Sequence, residues 1–236
     1  MSRHDESIGR MPNPSQFYLE WNSEKSSFCY YSTEEQGRIP FDLPFRFLAL
    51  KFMNTITGWD SNARKQIYSN EISDTRMEHF RVAYRDGSTI ATGLYSDIKD
   101  DLVAVGGRFT RSIYAMTPKG AIANIKLTGG QMFNFGEIEK YGNRWQDEWI
   151  QVASFETKQN RENKDYTIPV FTFGGTIQPN DSIKADTAYG IIKAYFNSKS
   201  ASPAPRPVAP RAQYAPAAAA IPSSLASSSD DDDLPF

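Results

Sequence analysis

The residues of this chain with the clearest chemical purpose lie at its end, where an acidic run meets a short apolar segment. They are Asp230, Asp231, Asp232, Asp233, Leu234, Pro235 and Phe236. A Phe ring can fill an apolar pocket, and the α-carboxylate beside it can pair with an Arg or Lys at the pocket rim. The four Asp carboxylates attract a basic surface through a field that salt screens. The pattern predicts a peptide that partner proteins bind. The alternatives are an acidic tail that only keeps the protein soluble, or an affinity tag, which Leu234 disfavours because the common acidic tag has Lys there.

This ending resembles the C-terminal tip of bacterial and bacteriophage single-stranded DNA-binding proteins. In those tips several acids precede an aliphatic residue, Pro and Phe, which is the order of residues 230 to 236 here. The resemblance implies that the tip recruits replication and repair proteins. It covers only these few residues, and the rest of the chain does not align with the bacterial housekeeping version. This lack of alignment outside the tip favours a divergent phage member of the family.

The segment before the tip has the composition of a linker. Residues 199–229 comprise 31 positions, of which 10 are Ala, 7 are Ser and 6 are Pro. Such a segment cannot bury enough apolar surface to offset its chain entropy, so we expect it to be disordered. The sequence thus predicts three parts: a folded DNA-binding domain at 1–198, a linker at 199–229 and the partner-binding tip at 230–236.

Composition limits the classes of function. The net charge is −2 and the pI is near 5.8, which argues against a strongly basic protein that binds duplex DNA. A single-strand binder needs only a local positive track with aromatic rings, and aromatic residues make up 13 % of the chain. The only cysteine, Cys29, excludes an internal disulfide framework and fits a reducing compartment. No apolar run approaches the length of a membrane span and the polar start is no secretory signal, so we expect no membrane partner and a location in bacterial or phage-infected cytoplasm.

The folded part has mainly the periodicity of strands. Alternating or continuous apolar patterns predict strands near 17–22, 27–32, 43–53, 107–117, 121–128, 149–157 and 166–174. Residues 79–95 predict a hairpin that turns at Asp86-Gly87. Two helices are expected, one near 131–140 and one beginning after Asn180. On the second, we expect a single face to contain Ile183, Thr187, Ile191, Ile192, Tyr195 and Phe196.

Many short strands with few helices favour a small barrel or a sandwich. The resemblance favours the OB-fold, a five-stranded barrel whose exposed face and loops bind oligonucleotides. We therefore expect a mainly β domain with an OB-fold-like five-stranded barrel, extra strands and one or two short helices.

One stretch of the domain is a local positive track. No Asp or Glu occurs from Leu102 to Gly136, whereas Arg108, Arg111, Lys119 and Lys126 lie within it. Strand alternation places Arg108 and Tyr114 on one face, where Lys126 of the next strand joins them, while Arg111 has the opposite parity unless a bulge intervenes. Two cations that can bind phosphates and one ring that can stack on a base predict a surface that binds single-stranded nucleic acid. The alternative is an ordinary solvated sheet face.

A second candidate is the polar segment around Trp59. This residue lies between Gly58 and Asp60, and Arg64, Lys65 and Tyr68 follow. Trp59 either is exposed for base stacking or caps the core. The stripe formed by His79, Arg81 and Arg85 on the predicted hairpin can also contact DNA, although strand alternation already requires polar residues there.

Catalytic motifs are weak. The chain has no Gly-rich phosphate loop that ends in Gly-Lys-Ser/Thr, and its two His and one Cys cannot form a zinc cluster. Cys29 with His79 as a base is less favoured than a buried strand cysteine. Asp97, Asp100 and Asp101 suit the metal site of a nuclease, but a solvated turn or short helix is the better interpretation.

The sequence therefore predicts a non-enzymatic single-stranded DNA-binding protein without a cofactor, which coats and protects strands in replication, recombination and repair. The predicted DNA-binding residues are Trp59, Arg64, Lys65, Arg108, Arg111, Tyr114 and Lys126. The alternatives are a protein-interaction adaptor with a β domain and a metal-dependent nuclease.

Overall fold

A computed structural model describes residues 11–160 and 163–200. The tip and the predicted linker beyond Ser200 lie outside the described residues. At the start of the predicted linker, Lys199 and Ser200 still belong to the last helix.

The described residues form eleven strands and four helices. The strands are β1 (Phe17–Asn22), β2 (Ser27–Ser32), β3 (Gly37–Pro40), β4 (Phe45–Asp60), β5 (Lys65–Ser69), β6 (Phe80–Tyr84), β7 (Thr89–Gly93), β8 (Gly107–Met116), β9 (Ile122–Thr128), β10 (Glu148–Gln159) and β11 (Asp165–Thr176). The helices are α1 (Tyr95–Ala104), α2 (Gly130–Glu139), α3 (Arg144–Asp147) and α4 (Pro179–Ser200). The mainly β fold predicted from the sequence is thus confirmed.

The strands form an open sheet. Nine of them lie in the spatial order β3-β2-β1-β9-β8-β4-β5-β6-β7, and only the β1–β9 pair is parallel. The β10–β11 hairpin joins the sheet at the beginning of β4, where Ile150 to Val152 pair with Phe45 to Phe47. β3 and β7 stand at opposite ends of this order, and no pairing between described residues joins them. The expected five-stranded barrel is therefore not confirmed.

The two faces of the sheet are packed differently. We call one the core face, with Phe109, Ile113 and Ala115 on β8. The opposite one we call the α4 face, with Arg108 and Tyr114 on β8. The main core fills the space between the core face, α2 and the β10–β11 hairpin; its largest members are Phe28, Phe47, Phe135 and Phe171. A second core lies under α1, whose Ile98 and Leu102 pack on Ile56, Ile67, Phe80 and Val82.

The α4 face is covered only in part, by helix α4. Ala185, Ala188, Ile192 and Tyr195 of this helix pack on Leu48, Met53, Tyr114, Met116 and Ile122. The prediction of which residues of α4 share its buried face is therefore wrong in part. Ile192 and Tyr195 are buried, whereas Ile183 and Ile191 are 65 % and 42 % exposed and Thr187 is exposed. The helix uses alanines for its contact because Tyr114 and Met116 already fill the space above the sheet.

Most predicted elements are present, and the missed ones are short or polar. The hairpin turns at Asp86-Gly87, with Gly87 at a positive φ of 86°. β3 has four residues and ends in Pro40, and in β5 only Ile67 is fully buried, so neither strand has a recognisable apolar pattern. The segment that contains Asp97, Asp100 and Asp101 is helical, as α1.

Candidate nucleic-acid interface

The part of the α4 face that helix α4 leaves open is formed by β8, β4, β5 and β6. In register, Thr57 pairs with Arg108 on one side and with Tyr68 on the other, and Tyr68 pairs with Ala83. Side chains of paired residues point to the same face. The predicted parity of β8 is therefore confirmed, because the pairing of β8 with β9 and with the second half of β4 has no bulge between Arg108 and Tyr114.

Trp59 stands at the end of this open part and is 56 % exposed. Two glycines hold its backbone close to the loop after α1. A Cβ on Gly58 would lie 2.3 Å from the Gly106 carbonyl oxygen, and one on Gly106, whose φ is +84°, would lie 2.5 Å from the Trp59 carbonyl oxygen. Trp59 is two residues beyond the partner of Arg108, so the two are diagonal neighbours at roughly 7–8 Å between Cα atoms.

A groove opens beside Trp59 between the β4–β5 turn and the β6–β7 turn. It is lined by Trp59, Arg64, Lys65, Gln66, Arg85 and Asp86. Three of these, Trp59, Arg64 and Lys65, were predicted from the sequence as DNA-binding residues. The structure thus brings the predicted Trp59 segment and part of the hairpin stripe to one place.

A hydrogen-bonded network holds the β4–β5 turn in shape. The Asp60 carboxylate accepts the N–H groups of Asn62 and Ala63, both at 2.9 Å, and the Tyr84 hydroxyl at 2.6 Å. Arg64 adopts a positive φ of 53° at the end of the turn. The hydrogen bond from Tyr84 and those from the backbone lower the pKa of Asp60, so this carboxylate is charged at neutral pH.

A second contact joins the two turns that form the groove. Lys65 pairs with Asp86 at 2.8 Å, and its ammonium lies 5.4 Å from the centroid of the Tyr84 ring. The bond from Lys65 and those from Ser88 hold the pKa of Asp86 well below its usual range. Asp86 is therefore neutralised by Lys65 and adds little repulsion toward a phosphate.

Four arginines of the open part of the α4 face and its adjoining turn differ in pairing from several other arginines. Arg64, Arg81, Arg85 and Arg108 are exposed, and no carboxylate of the described chain forms an ion pair with any of them. Elsewhere Arg38, Arg111 and Arg144 each pair with a Glu. Arg81 is on the α4 face because it is two residues before Ala83 on β6. Arg85 is two residues after Ala83, and its backbone N–H donates to the carbonyl of Gln66 on the neighbouring strand β5. The open face therefore offers four guanidinium groups for anionic contacts.

The centre of the open face is polar and uncharged. The hydroxyls of Thr57 and Thr110 are 2.7 Å apart, and that of Thr55 lies 3.1 Å from the Ser69 hydroxyl. Tyr68 is half-buried beside Thr57. Thr55 and Thr110 are buried, so the half-buried Thr57 and Tyr68 form the accessible part of this area, and they add no negative charge beside the arginines.

Tyr114 is not available for stacking, so its prediction as a DNA-binding residue is wrong. Its ring is fully buried under α4, in edge contact with Phe196. Its hydroxyl donates to Glu71 at 2.7 Å, and desolvation followed by the Glu71 charge raises its pKa far above the ordinary value. Glu71 also accepts from Ser112 at 2.7 Å and pairs with Lys199 at 3.8 Å, which ties the end of α4 to the sheet.

Arg111 and Lys126 lie apart from the groove. Arg111 is on the core face, where it pairs with Glu139 and its guanidinium carbon lies 5.1 Å from the Phe52 ring centroid, so its prediction as part of this surface is wrong. Lys126 is on the α4 face as predicted, opposite Ser112. Ser112 is four residues from Arg108, so Lys126 is on the order of 13 Å further along the strand direction.

Two further tryptophans and the cysteine have packing roles. Trp149 is buried under α4, and Trp145 packs on Phe52 with ring centroids 4.5 Å apart. Cys29 is buried in β2, and desolvation raises the pKa of its thiol. The tip residues Asp230 to Phe236 lie outside the described residues.

The sequence has no signal that assigns Gln66 and Thr57 to the interface, and it offers Arg81 and Arg85 only as an alternative. The alternation of Arg81, Ala83 and Arg85 was visible, but not the pairing of β6 with β5. That pairing, which sets the hairpin beside Trp59, has no local signal.

Comparisons with models of protein families, with curated proteins and with solved structures find no match to this chain. None of the helices in residues 11–160 and 163–200 is long and apolar enough to cross a membrane.

Proposed function

We propose that this protein binds single-stranded DNA without enzymatic activity, coating and protecting strands during replication, recombination and repair. The observation that carries the proposal is the exposed Trp59 ring on a sheet face that also has four exposed arginines without a carboxylate partner in the described chain. An aromatic platform beside unpaired cations is the combination that non-sequence-specific single-strand binders use.

The chemistry divides between stacking and charge. A base stacked on Trp59 gains affinity that is nearly independent of its identity, since every base has a π-face. Arg64, Arg85 and Arg108 reach the phosphates on either side of that base and release counterions as they bind. Because a duplex keeps its bases stacked on one another, it cannot use the Trp59 ring in this way.

The acidic tip completes the proposal. Its Asp run and its terminal Leu234, Pro235 and Phe236 suit a basic-rimmed apolar pocket on a replication or repair enzyme. The protein then holds the strand with its sheet and recruits the enzyme with its tail. This division follows the resemblance of the tip to that of single-stranded DNA-binding proteins.

Intrinsic fluorescence tests the proposal directly. Of the four tryptophans, Trp21 and Trp149 are buried and Trp145 packs on Phe52, so Trp59 is the one that a ligand on the α4 face can reach. Titration with oligo-dT should quench the fluorescence in a saturable, salt-sensitive manner, and duplex of equal length should not.

Variants assign the signal. Trp59→Phe should remove most of the quenching and retain binding in a gel shift, whereas Trp59→Ala should weaken binding by about 1–3 kcal/mol, or roughly 5- to 150-fold. Phe133→Ala is the control, because Phe133 is 76 % exposed on α2, on the other side of the sheet. Absence of oligonucleotide binding by the wild-type protein would reject the proposal and leave the protein-interaction adaptor. Cleavage of the oligonucleotide in Mg²⁺ would instead favour the nuclease.

A further inference from the structure

We propose that Tyr18 and Tyr31 form a second base-stacking platform on the same sheet face as Trp59, so that one DNA strand crosses the sheet from β4 to β2. This inference rests on the proposed function and extends the binding site to strands β1 and β2.

The register of the sheet places both tyrosines on the α4 face. Tyr18 pairs with Asn124 of β9, which itself pairs with Tyr114 of β8. Across β1 and β2, Glu20 pairs with Cys29, and continuing this antiparallel register sets Tyr18 opposite Tyr31. The two strands remain adjacent at this level, because Phe17 and Tyr30 on the opposite face are in edge contact at 5.3 Å between ring centroids.

Both rings face solvent. Tyr31 is 63 % exposed and Tyr18 is 48 % exposed, and within the described chain neither hydroxyl has a hydrogen-bond partner. The neighbouring aromatic residues of the opposite face, Phe17, Tyr30 and Phe41, pack on one another instead. Folding therefore does not account for two large adjacent rings on the α4 face, whereas stacking of bases would.

The charges around the tyrosines are mixed. Arg38 of β3 lies opposite Tyr31 of β2, and Lys126 lies between this area and the Trp59 end of the face. Glu20 and Glu71 are neutralised, since Glu20 forms an ion pair with Arg38 at 3.1 Å and Glu71 forms one with Lys199 at 3.8 Å. Glu34 and Glu35, in the turn that follows Tyr31, are exposed and form no ion pair within the described chain. The second platform therefore depends on stacking by the two exposed rings and not on a local excess of cations.

The separation of the two platforms determines which oligonucleotides reach both. β4 and β2 are four strand spacings apart in the sheet order, or roughly 19 Å. When the register is continued by one residue, Trp59 lies opposite Gly106, just before β8, whereas Tyr18 is level with Tyr114 of β8 through Asn124 of β9. Gly106 and Tyr114 are eight residues apart, so the two platforms are offset along the strand direction by roughly 27 Å. A short oligonucleotide on Trp59 therefore cannot reach Tyr31, whereas a longer one can.

The test measures affinity against oligonucleotide length with the full-length protein. Oligo-dT from about 4 to about 16 nucleotides covers the site sizes known for single-strand binding modules. The variants are Tyr31→Ala, Tyr31→Phe, which keeps the ring, and Trp59→Ala. Tyr189→Ala is the matched control, because Tyr189 is 45 % exposed on α4. Urea unfolding checks that each variant keeps the stability of the wild type.

We expect Tyr31→Ala to leave the shortest oligonucleotides unaffected and to weaken the longest about 5- to 150-fold, while Tyr31→Phe and Tyr189→Ala bind as the wild type does. If Trp59→Ala weakens binding but Tyr31→Ala has no effect at any length, the second platform is wrong and the proposed function stands. If Tyr31→Ala loses the same factor in affinity at every oligonucleotide length, the second platform is also wrong. If the wild-type protein binds no oligonucleotide at all, the proposed function itself fails.

Discussion

Two aromatic residues on one sheet face illustrate what decides a role at the scale of the single residue. Trp59 and Tyr114 both point to the α4 face, but Trp59 is 56 % exposed and Tyr114 is fully buried. The difference comes from helix α4, which covers Tyr114 and ends before the Trp59 part of the sheet. Among the arginines, the difference is whether a carboxylate neutralises the guanidinium group. Arg111 forms an ion pair with Glu139, whereas Arg108 has no carboxylate partner in the described chain.

The contribution of Arg108 should appear in the salt dependence of DNA binding. For single strands, the plot of log affinity against log salt has a slope of about −0.7 for each phosphate contact. Arg108→Ala should therefore make the slope shallower by about 0.7, as measured by fluorescence titration at several salt concentrations. Lys193→Ala, at an exposed lysine of α4, serves as the control. An unchanged slope for Arg108→Ala would place this arginine outside the phosphate path.

The Tyr84–Asp60 hydrogen bond should make stability depend on pH. The folded state holds the pKa of Asp60 below the value of about 3.9 in an unfolded chain. The stabilisation is thus complete above about pH 4 and is lost as the pH falls through the folded-state pKa. Tyr84→Phe should be less stable than the wild type at pH 7, and the difference in free energy of unfolding should shrink toward about pH 3. Urea unfolding at both pH values measures it, and a difference that stays constant or grows would contradict the assignment.

At the scale of the element, α4 shows how a neighbour selects the face that a helix buries. The apolar residues of the helix offer more than one stripe, since Ile183 and Ile191 lie on one side and Ile192 and Tyr195 on another. The sheet below presents bulky Tyr114 and Met116, so the side that also contains Ala185 and Ala188 fits most closely. Lys199 then fixes the end of the helix by its ion pair with Glu71.

Two adjacent isoleucines provide a matched test of this packing. Ile192→Ala should lower the free energy of unfolding by about 2–5 kcal/mol, because it leaves a cavity in a fully buried site. Ile191→Ala, at a residue that is 42 % exposed, should change it by no more than about 0.5 kcal/mol. Urea unfolding followed by fluorescence measures both. Equal losses in the free energy of unfolding for the two variants would show that a different side of α4 faces the sheet.

At the scale of the whole molecule, the open sheet explains how a slightly acidic protein presents a cationic surface. Layers cover the core face along its length, with α2 and the β10–β11 hairpin over one part and α1 over the other. The α4 face has one helix, so its remaining part keeps Trp59 and the unpaired arginines in contact with solvent. The net charge of the chain therefore does not describe this face.

The acidic tip should compete with DNA for the same face, since both are polyanions. Deletion of residues 230–236 should tighten binding of oligo-dT at low salt, and the difference should vanish at high salt because the attraction is screened. Replacement of Leu234, Pro235 and Phe236 by Ser with the acids retained is the control, and it should bind DNA as the wild type does. Unchanged affinity of the deletion variant at low salt would reject the competition.

The sequence by itself determined most strands, the β6–β7 turn and the alternation of β8. These features depend on neighbouring residues: the apolar period of a strand and the backbone freedom of Gly87 are both local. The parity that separates Arg108 from Arg111 follows from the same rule.

Only the tertiary structure decided which residues of that surface meet. β5 lacks an apolar pattern and is held by its pairing with β4 and β6, and this pairing brings Arg85 to the groove beside Trp59. The burial of Tyr114 depends on a helix about 70 residues later in the chain. The open sheet, in place of the expected barrel, likewise depends on which edges find partners. Contacts between distant segments have no local signature, so no reading of neighbouring residues predicts them.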